Sequence, residues 1–328
     1  MRILSFALSL LLGLLWPLTL LGVEPAQRVV RLGLVLPGSP EDAIAMKQEV
    51  FWNRLRTLGW EEGRNLDVER RLAQGRKEVF PGFMEEMVQR KVDIIVTTST
   101  PGALAAKRAT STIPIVIHSM GDPVGTGLVS SLGHPGGNLT GMSSQLEEGI
   151  PAKWLELLQE IVPKLSTVAL LSTPNNPLWR SVESRIKGAA LARGLKTIIL
   201  RVNAAEEIEG TLQQAYLHAQ AIIVLPDILF IQDREHVVAV AAKVRLPAIY
   251  GWPAFALVGG LMSYSPDPAE GWEQVAVYVD KILRGSDAGD LPIVQYKQFS
   301  LAVNLKAAKA LGLSIPESIL LRAKEVIK

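Results

Sequence analysis

The chain is expected to be an α/β protein of two similar lobes, each a parallel sheet covered by helices, and three observations carry that expectation. From Arg31 onward short β-branched runs alternate with helical stretches, the pattern of strands buried between helices. Eight such runs form two sets of four, separated by a Gly-rich stretch that ends in GNLTGMSSQ (137–145). The alternation does not stop after the second set but runs on past Trp252 to the C-terminus, so the chain returns to complete each lobe.

The strand candidates, in order, are LGLVLP (32–37), LDVERRL (66–72), DIIVTT (93–98), IPIVIHS (113–119), TVALLST (167–173), KTIILRV (196–202), AIIVLPD (221–227) and LPAIYGW (246–252). Each is short, rich in Val and Ile, and bounded by Gly, Pro or polar residues, as buried strands are. Between them the spacing of apolar residues predicts helices over 41–58, 78–91, 101–109, 151–161, 177–193, 205–218 and 233–244. Beyond Trp252 follow a strand candidate, GGLMSYS (259–265), a helix over 268–285, the segment LPIVQYKQFSLAVN (291–304) and a terminal region read as helical through AKEVIK. The first crossing between lobes is placed in 137–145 and the second at Trp252. The first lobe then comprises 28–146 with 253–288, and the second 147–252 with 289–328.

Composition narrows the function. A chain of 328 residues has room for about two domains. It carries 34 Lys and Arg against 32 Asp and Glu, so nothing marks a polyanion-binding surface and nucleic acid is not an expected partner. With no cysteine and four scattered histidines, thiolate chemistry is excluded and no metal-ligand spacing stands out. Residues 1–22, MRILSFALSLLLGLLWPLTLLG, place one basic residue before a long uncharged apolar run. That is the form of an export signal, expected to span 1–26 with cleavage between Gly22 and Ala26; an uncleaved anchor has the same length, since ~20 apolar residues span a bilayer.

In open parallel sheets ligands bind beyond the carboxyl ends of the strands, which directs attention to the residues there. After the first strand, Ser39 reads as a helix N-cap with Asp42 at capping-box distance. After the third, Ser99 or Thr100 caps a helix that Pro101 begins, leaving the amides of Gly102 and Ala103 to bind a carboxylate. The same Ser/Thr-Pro signal also starts helices that bind nothing. Asp122, in the loop GDPVGTG after the fourth strand, suits either an ammonium group or a turn cap. In the second half Asn175 and Asn176 precede a helix, Asp227 ends one strand, and Tyr250 with Gly251 ends another. Asp227 and Tyr250 read equally as ligand contacts or as a turn acid and a core aromatic. The glycines of 121–141 do not fit a dinucleotide fingerprint, because Ser130 stands where G-x-G-x-x-G needs its third glycine after Gly125 and Gly127. No phosphate loop, nucleophile elbow or zinc-protease motif occurs, so no catalytic residue and no cofactor is expected.

Five segments together identify a family: LGWEEGRNLDVERR, VDIIVTTSTPGALAAKRATSTIPIVIHSMGDPVGTGLVSSLGHPGGNLTG, LPAIYGW, GGLMSYSPD and NLKAAKALGLSIPESIL. In this order they resemble the ABC-transporter substrate-binding proteins that include tryptophan- and tyrosine-type binding proteins. The resemblance implies the type I periplasmic-binding fold, two lobes on a three-strand hinge that close on a small solute. It further implies an exported, periplasmic protein without catalytic activity that serves an inner-membrane permease and its cytoplasmic ATPase, with an amino acid or close analogue as ligand. Without a cysteine the chain lacks the family's lipoprotein anchor. It also departs from relatives at two places: Ser99-Thr100-Pro101 stands where Gly-Thr-Pro is frequent, and Leu171-Ser172-Thr173 where Trp-Asn occurs. A sensor presenting its bound state to a membrane receptor would use the same cleft.

Overall fold

The computed structural model describes residues 28–40, 42, 47–144, 149–176 and 178–328; the expected signal segment lies outside them. All eight strand candidates form strands. They are β1 (Val30–Leu36), β2 (Leu66–Leu72), β3 (Ile94–Thr97), β4 (Ile115–Met120), then β6 (Thr167–Ser172), β7 (Lys196–Arg201), β8 (Ala221–Val224) and β9 (Ala248–Tyr250). Between the sets lies β5 (Leu139–Ser143), and after them come β10 (Met262–Pro266), β11 (Val294–Gln295), β12 (Phe299–Asn304) and β13 (Glu325–Ile327).

These strands build two sheets, in the orders β11-β5-β4-β3-β1-β2 and β13-β12-β10-β9-β8-β6-β7. The inner order repeats: β5-β4-β3-β1-β2 in the first sheet matches β10-β9-β8-β6-β7 in the second. All pairs are parallel except β10 with β12. Two structurally similar α/β lobes result.

The chain crosses between the sheets after β5, after β10 and after β11. Two expected boundaries shift accordingly. Residues 253–266 do not return to the first lobe: Gly251-Trp252-Pro253 leads into a short helix, Ala254–Leu257, and on to β10, which pairs with β9 in the second sheet. The second crossing is therefore at Asp267 rather than Trp252. Residues 289–295 stay with the first sheet, where Val294 pairs with Met142. The segment 137–145, read as a connector, contains β5. Gly141 there approaches β4 so closely that a Cβ would come within 2.6 Å of the Ile117 nitrogen, beside a register shift between Ile117 and Met120. The terminal AKEVIK is a strand, not a helix, because Lys324 N–H donates to Leu301 O at 2.8 Å and Val326 pairs with Val303.

Helices cover both sheets through apolar stripes at helical spacing. The helix Ile150–Ile161 buries Ile150, Trp154, Leu155, Leu158 and Ile161 against the second sheet. The helix Pro268–Leu283, which follows the second crossing, buries Trp272, Val275, Val279 and Ile282 with Phe51, Leu55 and the first sheet. Among the described residues no helix is long and apolar enough to cross a membrane.

Candidate functional site

The carboxyl ends of β1, β3, β4 and β5 face those of β8 and β9 and the segment after β6, and three adjoining cavities lie between them. The largest, about 320 Å³, is bounded by Leu34, Leu36, Ser39, Leu72 and Trp272 from the first lobe and by Ile228, Ile231 and Trp252 from the second. The next, about 70 Å³, is bordered by Ser99, Thr100, Ser119, Ser144, Asn176 and Trp179. A third, about 30 Å³, touches His118, Gly251 and Tyr296. Trp252 lines all three.

The large cavity is apolar and electrically quiet. Its two charged side chains among the described residues are already paired: Asp42 with Arg234 at 2.9 Å, and Arg70 with both oxygens of Glu62 at 2.6 Å. Ser39 lies at its wall, where its N–H and Oγ both donate to Asp42 Oδ2, at 2.7 and 3.1 Å. An acid three residues on thus satisfies both the amide and the hydroxyl of Ser39.

Ser99 supplies the tightest local geometry. Its backbone sits at φ 70°, ψ 153°, a region that glycine fills freely and that strains other residues by about 1–3 kcal/mol. Its N–H donates to Ser119 O at 2.7 Å, which fixes the end of β3 to the end of β4. Its Oγ accepts from Gly102 N at 3.3 Å and its carbonyl from Ala103 N at 3.0 Å. The two amides expected to hold a carboxylate are thus already occupied by Ser99 itself, and that expectation is corrected. Thr100 borders the second cavity, and its Oγ1 accepts from Gly121 N at 3.1 Å.

The other candidate residues divide. Asn176 and Gly251 line the cleft, Asn176 while accepting from Leu178 N at 3.1 Å. Asp227 does not line it: its carboxylate accepts from Thr173 Oγ1 and Trp179 Nε1, each at 2.7 Å, and from Leu229 N at 3.1 Å. Tyr250 is 1% exposed, stacks on Phe255 at 4.6 Å and belongs to the second-lobe core; burial pushes its phenol well above the usual range. Of the two readings open for each, a ligand contact or else a turn acid and a core aromatic, the geometry favours the second, because both are turned to neighbours within their own lobe. Pro101 and Asn175 meet across a separate groove with Lys77 and Arg108. Asp122, at φ 37°, accepts from Gly125 N at 2.8 Å through Oδ1 as a turn cap, and lines none of the three cavities.

Several cleft residues are not singled out in the sequence, namely Ser119, Ser144, Ile228, Ile231 and Trp272, and Trp252 is read there only as the second crossing between lobes. Ser144 and Ile228 follow strand ends and Ser119 is the penultimate residue of β4, which is the signal that could have marked them. His118 is also missed. Its Nε2 donates to Pro268 O at 3.0 Å and its ring stacks on Trp272 at 4.1 Å, and burial lowers its pKa to about 4, so the ring is neutral.

The profile of the family described as ABC transporter substrate binding protein matches residues 40–327. A curated relative, the tyrosine-binding protein of Clostridioides difficile (strain R20291), is 25% identical over 263 residues, covering 80% of this chain and 75% of that protein. Among solved structures, a conserved domain protein from Vibrio cholerae superposes with a TM-score of 0.84 at 28% identity, covering 91% of this chain and 100% of that one. The ABC domain from Streptococcus pneumonia in complex with L-Trp superposes with a TM-score of 0.84 at 24% identity, covering 91% and 99%. With the two-lobe α/β architecture and an interlobe cleft already in place, the chain belongs to the ABC transporter substrate-binding protein family and acts by binding a small molecule, not as an enzyme.

Proposed function

We propose that this chain is the exported solute-binding component of an ABC importer and that its lobes close on an amino acid, or a close analogue, with a bulky apolar side chain. The observation that carries the reading is the adjoining of two unlike cavities at facing strand ends. The larger one, mostly apolar and with its two charged side chains already paired, suits an apolar ring or branched chain, and about 320 Å³ lies at the lower end of small-molecule pockets. The smaller, bordered by the hydroxyls of Ser99, Thr100, Ser119 and Ser144 and by Asn176, suits a polar head group. Tyrosine for one similar protein and L-Trp bound to another support the same ligand class. Delivery to an inner-membrane permease with a cytoplasmic ATPase, and residence in the periplasm after removal of 1–26, belong to the same proposal. The lobes in it are the two sheets with their helices, hinged at the three crossings.

Isothermal titration with the twenty amino acids and with simple aromatic carboxylates tests the ligand class. Saturable binding of an aromatic or large aliphatic amino acid, accompanied by a change in tryptophan fluorescence that Trp252→Phe removes, supports it. Binding confined to small polar or cationic amino acids would overturn it.

A further inference from the structure

We propose that two glycines of the first lobe are sockets for side chains of the second, and that with one cross-lobe ion pair they set how fully the cleft closes. The proposal rests on the two-lobe clamp and concerns the contacts that form on closure, not the ligand.

Gly121, at the end of β4, faces Leu178, the first residue of the second-lobe helix Leu178–Ala192. A Cβ on Gly121 would sit 2.7 Å from Leu178 Cδ1, well inside van der Waals contact. Leu178 is buried in the second-lobe core, which restricts its retreat. Gly121 is held in turn by its N–H bond to Thr100 Oγ1. Gly121 is not among the glycines with positive φ, so a methyl group there adds the collision without backbone strain. The second socket is Gly75, where a Cβ would sit 2.6 Å from Gln232 Cβ.

The ion pair borders the large cavity through Asp42, as the Gly75 contact does through Gln232. Asp42 Oδ1 accepts from Arg234 at 2.9 Å, the two side chains being only 11% and 17% exposed, and Asp42 is braced from behind by Ser39. All three contacts join first-lobe to second-lobe residues and are lost when the lobes part. Substitutions that block them raise the free energy of the closed state while leaving each lobe intact. Apparent ligand affinity falls with the closed fraction, because ligand favours the state in which both lobes touch it.

The absence of cysteine from the chain allows a direct test. Arg76→Cys with Glu235→Cys, both exposed and beside the Gly75–Gln232 contact, place one thiol on each lobe without filling a socket, and a short bismaleimide bridges them only when the lobes approach. The rate at which the bismaleimide traps the ligand-free full chain then reads the closed population. In that background Gly121→Ala should slow trapping at least about tenfold, and Leu178→Ala added to it should restore most of the rate. Arg234→Gln should slow trapping and remove its sensitivity to about 1 M NaCl. Circular dichroism melts near that of the parent show that the lobes still fold. Equal trapping with and without Gly121→Ala, in a folded protein, would overturn the sockets while leaving the clamp standing. No trapping in the parent pair would overturn both.

Discussion

Two strand ends face each other across the cleft and use their polar residues in opposite ways. After β3, Thr98, Ser99 and Thr100 all border the cavities. After β8, Pro226 and Ile228 border them while Asp227 between them turns away to bind Thr173, Trp179 and Leu229. This buried carboxylate accepts three hydrogen bonds within its own lobe and lines none of the cavities, and those bonds offset its desolvation. Position at a strand end therefore puts a residue near the site, but the partners available within its own lobe decide whether it serves the ligand. The consequence here is an asymmetric cleft, with hydroxyls on the first lobe and an apolar wall of Ile228, Ile231 and Trp252 on the second.

The comparison breaks most sharply at Tyr250. If it is a core residue, Tyr250→Ala removes a fully buried ring and should lower unfolding free energy by about 3–5 kcal/mol in urea denaturation. A variant of native stability with weakened binding would return Tyr250 to the cleft.

Next in size is the pH response of the first lobe. The His118 pKa is lowered from 6.5 to about 4 by burial, so between those values the unfolded chain takes up a proton that the folded chain refuses. The contribution of His118 is complete above pH 6.5 and lost as pH falls toward about 4, by about 1.4 kcal/mol per pH unit and about 3 kcal/mol in all. His118→Gln should flatten that part of the stability profile; an unchanged slope would assign it to other groups.

On the apolar wall, Trp252→Ala should weaken the ligand identified by titration about ten- to a hundredfold, equivalent to about 1.4–2.8 kcal/mol. Asp227→Asn should act chiefly on stability instead, and a binding defect in a protein of normal stability would reverse the contrast between the two lobes.

The smallest effect sharpens the view of the β3 end. Ser99→Gly relieves a strained φ of 70° and gives up a helix cap whose replacement by glycine is worth only a few tenths of a kcal/mol, so the variant should gain about 1 kcal/mol in thermal or urea unfolding. A loss would mean that the Ser99 hydroxyl holds more than the Gly102 amide.

The alternation of short Val- and Ile-rich runs with helical stretches was enough to determine the α/β class, the positions of eight strands and the repetition of one lobe by another. These depend on local periodicity, and a strand such as Ile94–Thr97 is buried on both faces whatever its neighbours are. The carboxyl ends of those strands also marked the neighbourhood of the site, and Ser39, Ser99, Thr100, Asn176 and Gly251 do lie at the cavities. Only the tertiary structure decided that β10 joins the second sheet and β11 the first, since pairing is chosen between segments far apart in the chain. It alone showed that Ser99 occupies the amides of Gly102 and Ala103, that Asp227 and Tyr250 face inward, and that Trp252 touches all three cleft cavities. The physical reason is common to all of these: whether a polar or aromatic group is free to meet a ligand depends on which distant groups have already satisfied or covered it, and no local pattern records that.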